Sequence, residues 1–235
     1  MTLCIIPARG GSKRFIKKNL TLVANKPLIF WTIEAARKSG CFNRIIVSTD
    51  CSEISEISIK FGATVPKLRP SELAEDETNT VDVINYCLKQ EKSFGYKHDD
   101  FVLLQPTSPL RTRSDIISSL ELFFKKNACS VVSVTKVPHP VEWCNILPTN
   151  QNMLNFLKPK NMNKRSQDFP ENYMLNGAIY IYKTKRFLEE KKIIFNNKNS
   201  FAFIMPVQRS IDIDSKDDAI LAEYLLFDQL KKNLR

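Results

Sequence analysis

What most constrains this chain is an alternation of short apolar runs, each of strand length, with longer stretches that place apolar residues at helical spacing. Leu3–Ile6 is continuously apolar and ends at Pro7. Leu28–Ser39 follows with Leu28, Ile29, Ile33 and Ala36 on one helical face and Gly40 as a stop. Arg44–Ser48 is again apolar at its centre, and Asp50, three residues before Glu53, has the spacing of an N-terminal cap for a helix through Phe61, with Gly62 ending it. Ala63–Lys67 reads as a third strand, Thr80–Glu91 as a helix, Phe101–Gln105 as a strand running into Pro106, Ser114–Lys126 as a helix and Ser130–Val137 as a β-branched strand. Strands alternating with helices predict an α/β fold whose sheet is parallel and covered on both faces. Ligands in such folds sit beyond the carboxyl ends of the strands, so the loops there are the ones to read for chemistry.

The rhythm breaks between residues 138 and 175, where Pro138, Pro140, Pro148 and Pro159 and an Asn-rich stretch disrupt periodicity. This segment is expected to be an excursion from the main sheet, inserted for dimerisation or as a lid, within a single domain spanning residues 1–235. Beyond it Ala178–Tyr182 reads as a strand, Thr184–Glu190 as a helix, and Phe201–Met205 and Ser210–Ile213 as strands. Ser215 with Asp218 is expected to cap a closing helix that carries Ile220, Leu221, Leu225, Leu226 and Leu230.

At 235 residues and 43% hydrophobic content the chain can build a substantial core, and the mean hydropathy of −0.24 is that of a soluble protein. No apolar run approaches membrane-spanning length, and the amino terminus enters a strand without the pattern of a secretory leader. The six cysteines are scattered, with no C-x-x-C pair and only two histidines. Free thiols in a reducing, cytoplasmic setting are the expectation, against zinc or disulfides. The formal charge of +10 fits a polyphosphate substrate, a nucleic acid, or simply a solvated basic surface. No nucleic-acid-reading motif accompanies the charge.

Three segments carry candidate chemistry. Pro7-Ala8-Arg9-Gly10-Gly11-Ser12-Lys13, continuing to Lys18 and Asn19, follows the first strand. Its adjacent glycines let backbone amides approach a phosphate, and Arg9, Lys18 and Ser12 add charge and a hydroxyl. It is neither a Walker A loop nor a dinucleotide fingerprint. Gln105, Thr107, Ser108 and Arg111, between Leu104 and Thr112, offer hydrogen bonds and a cation on a loop stiffened by Pro106 and Pro109. In Ser210-Ile211-Asp212-Ile213-Asp214-Ser215 the two aspartates would share one side of an extended segment, a donor pair suited to Mg²⁺ beside phosphates.

Taken in order, Ile6–Lys13, Leu104–Thr112, Asn176–Ile181 and Ser210–Asp214, with Val47–Asp50 and Leu68–Ala74, closely resemble the acylneuraminate (CMP-nonulosonate) cytidylyltransferase family over nearly the whole chain. The resemblance implies a Rossmann-like fold with a small inserted dimerisation segment at 138–175, CTP as donor, an acidic nine-carbon sugar as acceptor, Mg²⁺, and a homodimer that works without nucleic acid or membrane. It further implies that Ala8, Arg9, Gly10, Gly11, Ser12, Lys18 and Asn19 hold the nucleotide, with Arg69 and Thr80 fixing its cytidine part. Gln105, Thr107, Ser108, Arg111, Arg165 and Gln167 would face the sugar. Asp212 and Asp214 would take the metal, and with Arg9 and Lys18 form the catalytic set. Pro138–Trp143 and Arg165–Asp168 look more like enzymes for legionaminic-type acids, and Met174 and Glu142 stand where some sialic-acid enzymes carry cations. The rival readings are a nucleotidyltransferase for a 3-deoxy-octulosonate, a nucleotide-sensing homologue without activity, and a basic nucleic-acid-binding protein.

Overall fold

The first strand shows why the sheet is covered twice. In β1 (Thr2–Pro7) Cys4 and Ile6 face one cluster of buried side chains while Leu3 and Ile5 face another, all four wholly buried. The period-two alternation thus runs between two apolar layers rather than between core and water. The structure, a computed structural model, describes residues 1–11, 15–190, 192, 195 and 197–232. After a small ribbon of β2 (Leu22–Val23) and β3 (Lys26–Pro27) comes helix α1 (Leu28–Ser39), which ends at Gly40 with φ of 66°, a left-handed turn that suits glycine. Strand β4 (Arg44–Ser48), α2 (Ser52–Lys60), α3 (Thr80–Ser93), β5 (Asp100–Leu103), α4 (Arg113–Lys125) and β6 (Ser130–Lys136) continue the cycle. Then follow β7 (Tyr173–Lys183), α5 (Thr184–Glu190), β8 (Ser200–Met205) and α6 (Lys216–Lys232). One face of the sheet packs on α1, α2 and α4 through Ile33, Ile54, Ile116 and Phe123, the other on α3 and α5 through Ile84, Leu88 and Phe187.

The six-stranded sheet has the order β4-β1-β5-β7-β6-β8. Five strands are parallel; β7 alone runs against both its neighbours, pairing Val102 with Ile181 and Val131 with Ile181. The residues between β6 and β7 form only short 3-10 turns, at Val141–Trp143, Pro159–Asn161 and Ser166–Asp168. The excursion expected over 138–175 therefore closes at Asn172, because Tyr173–Leu175 already pair with β6. It leaves from the carboxyl end of β6 and returns at the amino end of antiparallel β7. Both lie at the ligand-bearing edge of the sheet.

Three expectations are corrected. Ala63–Lys67 makes only an isolated bridge, Ile46 to Thr64. Ser210–Ile213 joins no strand and follows a 3-10 turn at Val207–Arg209. Asp50 caps nothing: Cys51 stands at the cap of α2 and supplies no side-chain bond. The cap read at Ser215 forms, and α4 carries a further one that its reading from Ser114 did not include. Thr112 and Asp115 make a reciprocal box at α4, and Ser215 and Asp218 do the same at α6, with Oγ to Oδ2 at 2.7 Å and the Asp218 amide to Ser215 Oγ at 3.2 Å. All six cysteines are free. Among the described residues no helix is long and apolar enough to cross a membrane.

At the edge remote from the ligand loops, Glu91 (1% exposed) accepts from Arg44 Nε at 2.8 Å and Nη2 at 3.2 Å, and meets His98 Nε2 at 2.9 Å. The Arg44 guanidinium lies 3.9 Å from the Tyr96 ring centroid. Removing the carboxylate would strand a cation against buried surface. Glu91→Ala is expected to lower the unfolding free energy by about 3–5 kcal/mol, read as a shift in urea midpoint. A change below about 1 kcal/mol would show that the cluster is not a brace.

Candidate active site

At the carboxyl edge three distant stretches of chain meet. The Ile213 amide donates to the Thr107 carbonyl at 2.8 Å, which docks the segment before α6 onto the loop after β5. Lys18 Nζ then donates to the Ile213 carbonyl at 2.8 Å and to Asp214 Oδ1 at 2.9 Å, across 196 positions of sequence. Ile213 is wholly buried among Phe15, Leu28, Leu110 and Leu226, whereas Asp212 and Asp214 project outward. The alternation expected of a strand is thus achieved without one, because the buried isoleucine anchors an extended segment. Although Asp212 keeps solvent-exposed surface, desolvation by its surroundings raises its carboxyl above the usual range. The Thr107 hydroxyl lowers it, while the nearby carboxylates of Asp214 and Asp218 push it further up.

The loop after β1 is held from below. Ala8 N donates to Ser48 O at 2.9 Å, and Asn19 Nδ2 donates to the Arg9 carbonyl at 3.0 Å. Gly10 N donates to Asp50 Oδ1 at 2.9 Å, and that same oxygen lies 3.8 Å from Arg69 Nη2. A Cβ on Gly10 would stand 2.8 Å from Cys51 Cβ, whereas one on Gly11 would meet nothing within 4 Å. Arg69 is buried, which lowers its pKa, and Asp50 is the principal group opposing that shift. Arg9 Nη2 pairs with Asp76 Oδ1 at 2.8 Å, and Nη1 donates to Ala74 O at 3.5 Å. Thr80 opens α3 beside its cap Asn79. Ser12 lies outside the described residues. Arg9, Gly10, Asn19, Arg69, Lys18 and Asp214 therefore rim one edge, with each of the three cations set against a carboxylate.

The proline-stiffened loop divides into two kinds of residue. Gln105 and Thr107 reach the open side, and Gln105 Oε1 lies 3.1 Å from where a Cβ on Gly177 would stand, a residue with φ of 73°. Arg111 is 2% exposed, and its guanidinium donates to Ala178 O at 2.7 Å, Thr32 Oγ1 at 2.7 Å and Gln105 O at 3.3 Å. Burial pushes its pKa down to about 10, with Cys4 and Asp115 acting in the opposite direction. Ser108 is wholly buried. The expectation that Ser108 and Arg111 face a sugar is thereby corrected: both lie beneath the loop, where Arg111 ties it to α1 and β7. Arg165 and Gln167 sit on the exposed turn of the excursion. Gln167 lines a separate cavity with Lys136, His139 and Phe169, which shares no lining residue with the cavity at Asp212.

Sequence reasoning missed Asp50 and Asp76 as partners of the phosphate-loop groups. The signal for Asp50 was its position two residues past the carboxyl end of the strand beside β1. Tyr180 was quoted only within a motif, yet it lines the cavity at Asp212, and desolvation together with that carboxylate raises its phenol pKa. No cluster of three metal-ligating side chains occurs among the described residues. Asp212 and Asp214 alone form a two-carboxylate oxygen set whose mutual repulsion a cation would relieve. That set fits Mg²⁺, which is commonly held by one or two carboxylates and completed by substrate phosphates.

The cytidylyltransferase family profile matches residues 3–229. The chain is 36% identical over 226 residues to the CMP-N,N'-diacetyllegionaminic acid synthase of Legionella pneumophila, covering 95% of each. It is 33% identical over 223 residues to the pseudaminic acid cytidylyltransferase of Campylobacter jejuni, again covering 95% of each. It is 36% identical to the N-acylneuraminate cytidylyltransferase of Escherichia coli O18:K1:H7, over 98% of this chain and 52% of that one. A CMP:2-keto-3-deoxy-manno-octonic acid synthetase solved with CTP shares the fold, with a TM-score of 0.70 over 97% of this chain and 99% of that one at 16% identity.

The two glycines of the loop are predicted to respond differently to a methyl group. Gly10→Ala forces the backbone against Cys51 and is expected to cost about 1–3 kcal/mol of stability. Gly11→Ala, with open space around it, is expected to change stability by less than about 0.5 kcal/mol. Paired urea titrations decide this, and equal losses would refute the close approach.

Proposed function

The chain belongs to the cytidylyltransferase family, and on that premise we propose that it transfers CMP from CTP to the anomeric hydroxyl of a nonulosonic acid, releasing pyrophosphate. The observation that supports this reading is the junction of Lys18, Thr107 and Asp212–Asp214, where one ammonium group lies beside a pair of carboxylates. The relatives named above use three different nonulosonic acids with one nucleotide, and the shared chemistry is the part carried to this chain.

In the proposed reaction the anomeric oxygen bonds to the α-phosphorus and gives its hydroxyl proton to solvent, while the bond from that phosphorus to the bridging oxygen breaks and its electron pair leaves with pyrophosphate. Arg9 and Lys18 neutralise the β- and γ-phosphates, exchanging their carboxylate partners for phosphate oxygens. The amides near Gly11 approach the phosphates, and Asn19, Arg69 and Thr80 border the cytidine. Gln105 and Thr107 orient the acceptor so that its oxygen lies in line with the leaving group. Asp212 and Asp214 would hold Mg²⁺, which supplies charge neutralisation at the α-phosphate. We further propose a homodimer in the reducing cytoplasm, supported by the free thiols and by apolar side chains exposed on the excursion, including Ile146 at 89% and Leu154 at 80%.

Asp214→Asn is expected to lower kcat/KM on the order of 10²–10³-fold while leaving the melting transition in place. Pyrophosphate release with CTP, Mg²⁺ and a nonulosonic acid measures the first, and circular dichroism the second. Near-normal turnover would remove Asp214 from the site. Chelation is expected to abolish turnover and added Mg²⁺ to restore it; activity that survives chelation would refute the metal.

A further inference from the structure

A further cavity of about 390 Å³ opens between α1, α6 and the start of α4, and it shares no lining residue with the cavity at Asp212. Its apolar wall includes half-buried Trp31 and buried Leu226, with Leu230 partly open to solvent. Its charged lining is three cations, Lys38, Arg111 and Arg113, against the single carboxylate of Glu34. Glu34 is already engaged, by Arg37 at 3.4 Å and by Lys38 at 2.8 Å. Arg113 pairs with no carboxylate among the described residues. Arg111 is the costly member of the set. Its Nη atoms donate only to neutral acceptors, Ala178 O, Thr32 Oγ1 and Gln105 O, and its buried Nε has no acceptor. Asp115, whose charge acts on Arg111, is committed elsewhere, accepting from Thr112 Oγ1 at 2.7 Å and from Arg209 at 3.0 and 2.7 Å. A buried cation without an ion pair carries a desolvation cost that a neighbouring anion would offset.

We infer that this cavity is a second ligand site, for a small organic oxyanion carried on an aromatic or apolar body, and that its occupancy tightens nucleotide binding at the reaction edge. The oxyanion pairs with Arg113 and offsets the charge of Arg111 in the wall, while the body covers Trp31 and Leu230. An apolar lining with a few convergent polar groups is the usual make-up of a small-molecule site. The link to the reaction edge runs through two contacts. Arg111 Nη1 holds the Gln105 carbonyl, and Leu226 of α6 shares one apolar cluster with Phe15, Leu28 and Ile213. A ligand lodged between α1 and α6 thus bears on the loop after β5 and on the anchor of the carboxylate segment together. Segments ordered in advance lower the ordering cost of the next ligand, so the coupling is positive. By linkage the nucleotide tightens the anion by the same factor. The site stands apart from the cytidylyltransfer reading; the coupling rests on that reading, in taking CTP as the nucleotide.

The chain has two tryptophans, so Trp143→Phe leaves Trp31 as the one indole and a reporter in the cavity wall. In that background phenyl phosphate and benzoate are titrated against Trp31 fluorescence, with calorimetry as a second readout. Inorganic phosphate, which lacks the body, and benzyl alcohol, which lacks the charge, serve as comparators. The tighter of the two aromatic anions identifies the head group and is expected to saturate with a Kd on the order of 0.1–1 mM, about 10-fold or more below either comparator. Arg113→Gln is expected to weaken it about 5-fold. Leu230→Glu, which sets a carboxylate in the cavity, is expected to abolish binding, with the melting transition recorded as the control for folding. Saturating anion is expected to lower the Kd of CTP about 5-fold, an effect that Leu230→Glu removes. No saturation in either readout, or saturation indifferent to both substitutions, overturns the site. A CTP Kd that stays level or rises overturns the coupling. CTP that fails to bind with or without the anion overturns the cytidylyltransfer reading and the coupling, and leaves the site standing.

Discussion

One ammonium group joins the two ends of the reaction edge. Lys18 Nζ reaches the Ile213 carbonyl and the Asp214 carboxylate, and through them fixes a segment that no sheet or helix would otherwise hold in register. The carbonyl contact is positional and the carboxylate contact electrostatic, and the two have different fates when a polyanion arrives. A partly exposed pair of this kind is worth about 1 kcal/mol or less, so a phosphate can replace the carboxylate at little cost. The carbonyl bond and the buried Ile213 still hold the backbone in place. Arg9 with Asp76, and Arg69 with Asp50, repeat the arrangement. On the proposed reading, the cations that would meet a triphosphate are already kept ordered by carboxylates, which limits the ordering entropy that binding must overcome.

The elements that local chemistry governs were legible in the sequence. Strand alternation, the Gly40 stop and the cap at Ser215 depend on neighbours within a few residues, and they form as read. Residues whose roles depend on distant partners were not. Asp50 has the spacing of a helix cap, yet the amide of Gly10, forty positions earlier, competes for the same oxygen and wins. Arg111 looks like a ligand for a substrate anion because its loop lies where ligands bind. The carbonyl of Ala178 and the hydroxyl of Thr32, both invisible from the loop itself, hold it inside. The resemblance to a family named the candidate residues, whereas the structure divided them into those that face outward and those that support them.

The reversal of β7 could not be read from periodicity, because a strand buried on both faces has the same composition in either direction. Its direction nevertheless decides what the site contains. A parallel β7 would deliver its amino end to the opposite edge, carrying Met174, Leu175 and the return of the excursion away from Asp212. Running antiparallel, it brings all of them to the edge where β1, β4 and β5 end. Where β7 passes Ser133 its register shifts, and the serine hydroxyl bridges the irregularity by donating to Asn176 Oδ1 and accepting from the Ile179 amide at 2.8 Å. The bulge re-aims the strand next to the cavity, a common location for such irregularities.

Helix α6 completes this logic from the other terminus. Its buried face, Ala219, Ala222 and Leu226, packs with Phe15, Leu28 and Ile213, so the helix that follows the carboxylate segment clamps the segment's anchor and the helix after the phosphate loop in one apolar cluster. The Asp218 cap turns the chain sharply after Asp214 and accepts that residue's amide, which restrains the backbone carrying both carboxylates. Any shift of α6 would therefore be felt at Asp212, at Lys18 and at Leu221 together. Placement of the two carboxylates and packing behind the phosphate loop are coupled because one helix supports both.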